Sequence, residues 1–244
     1  MEDTTIDPIL GRELAYYPVA RWRLLLRAGV AYTFGYLALM LAFANVDDLT
    51  AAPYVIGGLA LWALPIGWYV LHFWNREVTL YERGFSYRLG SQVAFIRYDD
   101  VTRYYQRAER VRYFGIIPYT IHRYTIHTAL DEAITLGNIY YRVGELAERL
   151  EVAIMAALSP KMRDALSHGE QVAFHERLLL DNEGLHSEGR TLPWADYRGY
   201  RTERRQLCID AATQEGWFCA PLAEIANLLL LVELLREHSQ QRTP

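Results

Sequence analysis

No Lys and no Arg occurs in the forty-eight residues 28–75, and that gap decides more about this chain than any other feature of it. Two apolar runs, 24–44 and 54–74, account for it. Each is about 21 residues long, the length a helix needs to cross a hydrocarbon core of roughly 30 Å. Between them, Asn45-Val-Asp-Asp-Leu-Thr-Ala-Ala-Pro53 carries only Asp47 and Asp48 as charges. Arg21, Arg23 and Arg27 stand before the runs, and Arg76, Arg83, Arg88 and Arg97 after them. Positively charged flanks stay on the cytoplasmic side. The expected arrangement is a multi-pass hairpin in the cell (inner) membrane, with both termini and all that follows Trp74 in the cytoplasm. A cleaved leader ending at Ala42-Phe43-Ala44 is the rival for the first run. It would be longer than the usual leader of about 15–30 residues and would open on the mildly polar segment 1–20 instead of the Arg cluster.

Averages over the chain conceal this division. The mean hydropathy is −0.05 because two apolar spans are diluted by a polar remainder. The net charge is −4, so bulk charge does not point to nucleic acid. Of the 25 basic residues only Lys161 is a lysine, which makes every basic patch a fork of guanidinium donors. Cys208 and Cys219 follow the membrane segment and on this topology face a reducing compartment, so no disulfide is expected. Residues 77–244 suffice for one ordinary soluble domain or two small ones.

The spans read as an anchor. Ala31, Gly35, Ala38 and Ala42 share one helix face, and Ala60, Ala63 and Gly67 share another; such stripes let helices approach closely in lipid. Trp22, Trp68, Tyr69, Phe73 and Trp74 gather at the inner edge, where amphipathic rings favour the headgroup level. Pro65 is expected to bend the second helix without breaking it. Arg27 and His72 lie near the span ends, and no ionisable group stands at mid-depth, as a transport pathway would need.

The remainder contains an internal repeat. Leu80-Tyr-Glu-Arg-Gly-Phe85 matches Leu180-Asp-Asn-Glu-Gly-Leu185, and Tyr98-Asp-Asp-Val-Thr-Arg-Tyr104 matches Trp194-Ala-Asp-Tyr-Arg-Gly-Tyr200. Each copy continues into short alternating runs, 119–128 and 206–210, and then into an amphipathic helix. The first helix is expected over 143–158, with Leu146, Leu150, Ala153, Ile154 and Ala157 on one face. The second is expected over 222–238, with Ile225, Leu228, Leu229, Val232 and Leu235 together. Gly84 and Gly184 fall where a tight hairpin asks for positive φ. Each copy is thus a meander of antiparallel strands closed by one helix.

The order hairpin, Gly-Phe-x-Tyr-Arg, Ile-x-Tyr-Asp-Asp-Val, further strands and one helix resembles the bacterial pleckstrin-homology (PH)-like domain. A two-helix hairpin ahead of such domains resembles a family of uncharacterised bacterial membrane proteins, over roughly Leu10 to His238. The second copy departs by placing Tyr197 at an aliphatic position, and it is shorter. The resemblance implies an α+β fold: a transmembrane helical hairpin (segment 1–76), a first PH-like domain (77–158), a linker (159–170), a second PH-like domain (171–238) and a tail (239–244). It also implies membrane-associated binding or assembly work with no established reaction.

Two constellations remain. Arg97, Arg103, Arg107, Arg110 and Arg112 interleave with Tyr98, Tyr104, Tyr105, Tyr113 and Phe114, and Arg198, Arg201, Arg204 and Arg205 are their counterparts. Either they form a solvated hairpin paired with Asp99, Asp100, Glu109 and Glu203, or Arg103, Arg107, Arg110 and Arg112 contact anionic lipid headgroups or a protein partner, at about 1 kcal/mol per Arg near such a surface. Nucleic acid is not an expected partner. His122 and His127 lie five apart on a strand and point to opposite faces. His168, His175 and His186 have no ligand spacing with Cys208 or Cys219. Gly-x-Ser-x-Gly, a phosphate loop and a dinucleotide fingerprint are absent. The expectation is no catalytic residue, no cofactor and no metal: a membrane-anchored binding or assembly module whose partners are the lipid bilayer and an unknown protein. The alternatives are a structural subunit of a larger membrane complex, and an enzyme or transport-associated protein without a recognisable motif.

Overall fold

The computed structural model describes residues 6–44, 48–113 and 117–240. The fold is mixed α+β: two apolar N-terminal helices, several small antiparallel sheets and a C-terminal helix. The chain divides into two compact units, 1–95 with 139–142, and 96–138 with 143–244.

The first unit opens with strands β1 (Ile6–Asp7) and β2 (Gly11–Pro18), then helices α1 (Arg21–Ala42) and α2 (Asp48–Trp74), then β3 (Glu77–Tyr81), β4 (Gly84–Leu89) and β5 (Gln92–Arg97). The strands form one sheet in the order β1-β2-β3-β4-β5. The segment before the membrane runs is therefore part of the sheet, pairing Tyr17 with Val78 and Pro18 with Glu77. The expected limit at residue 76 falls inside this pairing. Tyr17, Val78, Leu80 and Phe85 are buried because their alternation places them on one face.

Both helices are long and apolar enough to cross a membrane. Only 6% of each apolar window is buried, whereas the core helix of a soluble protein would be mostly covered. Their contact differs from the expected one. Trp62 packs over Gly35 and its Nε1 donates to the Ala31 carbonyl at 3.1 Å, while Gly58 meets Leu39. Ala31 and Gly35 of the α1 stripe thus face α2, but Ala38 and Ala42, like Ala60, Ala63 and Gly67, are exposed. A bulky indole seated on a glycine fills the gap better than small residues on both sides, because dispersion needs contacting atoms.

The second unit begins with the single turn Tyr98–Asp100, followed by β6 (Val101–Tyr113), β7 (Ile117–Thr128), β8 (Ala133–Gly137) and α3 (Val143–Ser167). It continues with β9 (Val172–His175), β10 (Leu178–Leu180), β11 (Gly184–Ser187), β12 (Arg190–Pro193), β13 (Tyr197–Glu203), β14 (Gln206–Ala211) and β15 (Phe218–Pro221). A 3-10 turn, Leu222–Glu224, leads to α4 (Leu228–Gln240). The sheets are β6-β7-β8, β12-β11-β10-β9 and β13-β14-β15.

The repeat is visible in the register. Leu80 pairs with Phe85, and Leu180 pairs with Leu185. The Asp100 carbonyl accepts from Ala129, and the Asp196 carbonyl accepts from Ala212, both at 2.7 Å. A bulge follows Val101 in one copy and Tyr197 in the other. Along the chain each copy reads four strands, three strands and a helix: β2–β5, β6–β8 and α3, then β9–β12, β13–β15 and α4.

Several local expectations are corrected. Neither Gly84 nor Gly184 has positive φ; at Gly184 the Leu192 carbonyl occupies the place of a Cβ, so close strand approach demands the glycine. Helix α3 runs through Pro160 to Ser167, so most of the expected linker is helical. Met162 and Leu166 continue its apolar face onto the second copy's core, which offsets the hydrogen bond that Pro160 cannot donate. The last helix starts at Leu228, not at 222, and buries Leu230, Leu231, Leu234 and Leu235. Cys208 and Cys219 stand directly opposite on β14 and β15, with Cα atoms 4.2 Å apart, and are joined by a disulfide. Pro221 has no N–H, so its pair with Gln206 is not doubly bonded. Cys208–Cys219 has the same parity and is the close, non-hydrogen-bonded kind.

Candidate functional site

Among the described side chains, the arginines singled out from the sequence have different surroundings. Arg107 is spent on Glu109, two residues along the same strand. The backbones of Arg110 and Arg112 continue β6 opposite Thr120 and Pro118, and their side chains lie outside the described part. Arg97 pairs with Asp99 and Asp100, and Arg201 grips the Asp210 carboxylate through Nη1 at 2.5 and 2.6 Å. Arg103 lines a concavity and has no ion-pair partner among the described residues.

That concavity is a cleft of about 700 Å³, within the range of small-ligand sites. Besides Arg103 its walls include Tyr105, His175, Arg177, Leu179 and Glu224. The pairing of β9 with β10 leaves only Glu176 and Arg177 between the two strands, which brings His175 to the rim. The His175 side chain is only 7% exposed. Its Nδ1 lies 3.0 Å from the Arg177 N–H and accepts from it. In the neutral ring the proton then sits on Nε2, 3.6 Å from the Glu224 carboxylate. Phe218 packs edge-on against the ring, and Arg177 is held by Glu188 at 2.9 Å. With Glu176 and Glu224 opposing two arginines, the cleft suits a ligand of mixed charge better than a bare polyanion.

Asn227 fixes one end of the cleft. It is fully buried at φ 50°. The Tyr104 N–H donates to its Oδ1 at 3.0 Å, its own N–H donates to the Tyr104 carbonyl at 2.9 Å, and its Nδ2 donates to the Thr102 carbonyl at 3.1 Å. Ala226 donates to Phe174 at 2.7 Å, so two successive residues join the edges of β6 and β9. Asn227 also accepts from Leu231 and begins α4. An Asn ahead of an apolar helical run is a start signal, and it was the available clue to this junction. His175 and Arg177 carried no clue, because the two-residue turn that presents them is defined only by strand pairing.

Elsewhere, Asp181 organises the second copy's first hairpin. Burial opposes its ionisation, but bonds from His186, the Glu183 N–H, Gln171 and the Gly184 N–H outweigh it and hold its carboxyl below the usual range. Arg163 of α3 clasps Glu237 and Glu233 of α4, and that clasp lowers the Glu237 carboxyl. No cluster of three or more metal-ligating side chains occurs among the described residues.

A model of a family of unknown function (DUF6585) matches residues 3–244. No curated protein and no solved structure matches the chain.

Proposed function

The chain therefore belongs to this family of unknown function, and on that premise we propose its role from its own architecture: a membrane-anchored binding or assembly module with tandem PH-like domains and no catalytic activity, whose arginine flanks favour the cytoplasmic side and whose Cys208–Cys219 disulfide favours an oxidising one. One observation carries the proposal. The same order of four strands, three strands and a helix occurs twice, and in the first copy a long exposed apolar helical hairpin grows from between its first two strands. Small β domains of this kind present edges and clefts for recognition, and the hairpin holds them at a surface. The cleft around Arg103 is the contact point for an unknown protein partner. Arg107, once released from Glu109, and Arg110 and Arg112, farther along β6, extend that contact to the partner or to anionic headgroups.

A structural subunit of a larger membrane complex is the competing reading, and the exposed Ala60, Ala63 and Gly67 face of α2 favours it. Photo-crosslinkers placed singly at Arg103 and at Ala63 in the full chain, in cells, separate the two. The binding reading expects a discrete protein adduct from position 103. Adducts from position 63 alone favour the structural subunit and remove the cleft as a binding site.

A further inference from the structure

Both membrane helices leave the first sheet at one end. Strand β2 stops at Pro18 and α1 starts at Arg21, while α2 stops at Trp74 and β3 starts at Glu77. The Val19 N–H donates to the Arg76 carbonyl at 3.2 Å, which holds the two crossings together. Arg21 lies over the Trp74 ring at 5.2 Å, as expected at an interfacial belt.

The β4–β5 turn lies at that same end. Glu77 pairs with Arg88, and their side chains meet at 2.9 Å. One residue further, Leu89 closes β4, and Gly90-Ser91 turn the chain into β5. Neighbouring strands are about 4.8 Å apart, so the turn stands within about 10 Å of the start of β3, where the chain leaves α2. Its apolar residues are uncovered: Leu89 is 37%, Val93 37% and Phe95 54% exposed. From Gln92 to Arg97 only Ile96 is buried.

The second copy is an internal control. Its corresponding turn is Ser187-Glu-Gly-Arg-Thr191, polar throughout, between strands of four residues against six in the first copy. The copy that carries the membrane hairpin has longer strands and more apolar residues flanking the turn beside it; the copy without a hairpin does not.

We propose that the β4–β5 turn is a third membrane contact, with Leu89 and Val93 seated at the boundary between headgroups and acyl chains and Phe95, farther up β5, among the headgroups. The inference rests on the membrane-anchored reading. A strand end with apolar side chains beside a helical anchor gains from burial at that boundary as an interfacial helix does. A tripod of two helices and one turn also limits how far the first sheet can tilt from the membrane.

Single cysteines at Val93, Phe95, Arg83 and Leu37, each labelled with an environment-sensitive fluorophore in the full chain, test this in vesicles of phosphatidylethanolamine and phosphatidylglycerol. Leu37 lies mid-span in α1, and Arg83 sits in the hairpin at the far end of the first sheet. Lipids carrying a shallow spin label should quench most of the emission from positions 93 and 95 and leave position 83 bright. Deep spin labels should quench position 37. If 93 and 95 behave like 83 while 37 is quenched, the anchor stands and the third contact is overturned. If 37 is also bright, the anchored reading itself fails, and the third contact with it.

Discussion

Two copies of one strand order differ most at the connection between their first two strands. In the second copy β9 passes to β10 through Glu176 and Arg177; in the first, β2 passes to β3 through two membrane-length helices. Both join adjacent antiparallel strands, but the register shift lies at the far end, between Glu13 and Ala15, in the first copy and beside the connection, at Leu178 and Leu179, in the second. A connection between adjacent antiparallel strands has its ends side by side, so an insertion there costs little extra closure entropy however long it is. The hairpin tips show a second difference. In the first copy the Glu82 and Arg83 N–H groups donate to the Arg12 and Leu10 carbonyls, so the N-terminal strand steadies the tip. In the second copy Asp181 does this alone, accepting from Glu183 and Gly184.

The largest effect should come from making the first copy like the second. Replacing residues 20–75 with a Glu-Arg turn should move the chain from the membrane pellet to the soluble fraction with its β-sheet circular dichroism retained. Aggregation under every condition would mean that the helices are integral to the fold and not an insertion. Next comes the Asn227 junction. Asn227→Ala orphans buried backbone groups of Tyr104 and Thr102 and places alanine at positive φ, a loss of about 3 kcal/mol in urea unfolding. Asn227→Gly relieves only the backbone part and should recover about 1 kcal/mol of it. A loss confined to a few tenths would show that the two edges hold together without this residue.

Reduction of Cys208–Cys219 should weaken the second copy by about 2–3 kcal/mol, as expected for so short a loop, and leave the first copy untouched. Proteolysis in reductant, read by mass spectrometry, should therefore start within β13–β15. The smallest effect is in pH. Asp181 titrates below its unfolded value, so its contribution is complete above about pH 4 and is lost as pH falls through the lowered folded value. Asp181→Asn should flatten the acid limb by about 1 kcal/mol, and Tyr81, its counterpart, has no carboxylate to titrate. An unchanged acid limb would place the sensitivity on Glu237 and Arg163 instead.

Much of this architecture was legible because it is written locally. Length and apolarity marked the helices, and Leu80 and Leu180 revealed the repeat because hairpin register follows from a few adjacent residues. The start of α4 was misplaced because Leu222–Ile225 continue an apolar helical period, and the bonds of Ala226 and Asn227 to Phe174 and Tyr104 override it. A linker was expected from residue 159, and the packing of Met162 and Leu166 against the second copy's core extended the helix through it instead. Arg103 was picked out with its neighbours for charge; that it lines the cleft, while Arg107 turns to Glu109, was not legible. Which face of a strand meets a concavity depends on partners more than seventy residues away.

What the sequence determined by itself is what depends on spacing along the chain: two apolar helices of membrane length, their charged flanks, a duplicated hairpin and two amphipathic helices. The tertiary structure alone decided that Gly11–Pro18 is the first strand of the first copy, that the apolar helical hairpin is an insertion within that copy, and that the two cysteines pair. Each of these joins residues whose side chains carry no mark of their partner, since backbone hydrogen bonds are the same for every residue type. Only the register of the assembled sheets chooses among them.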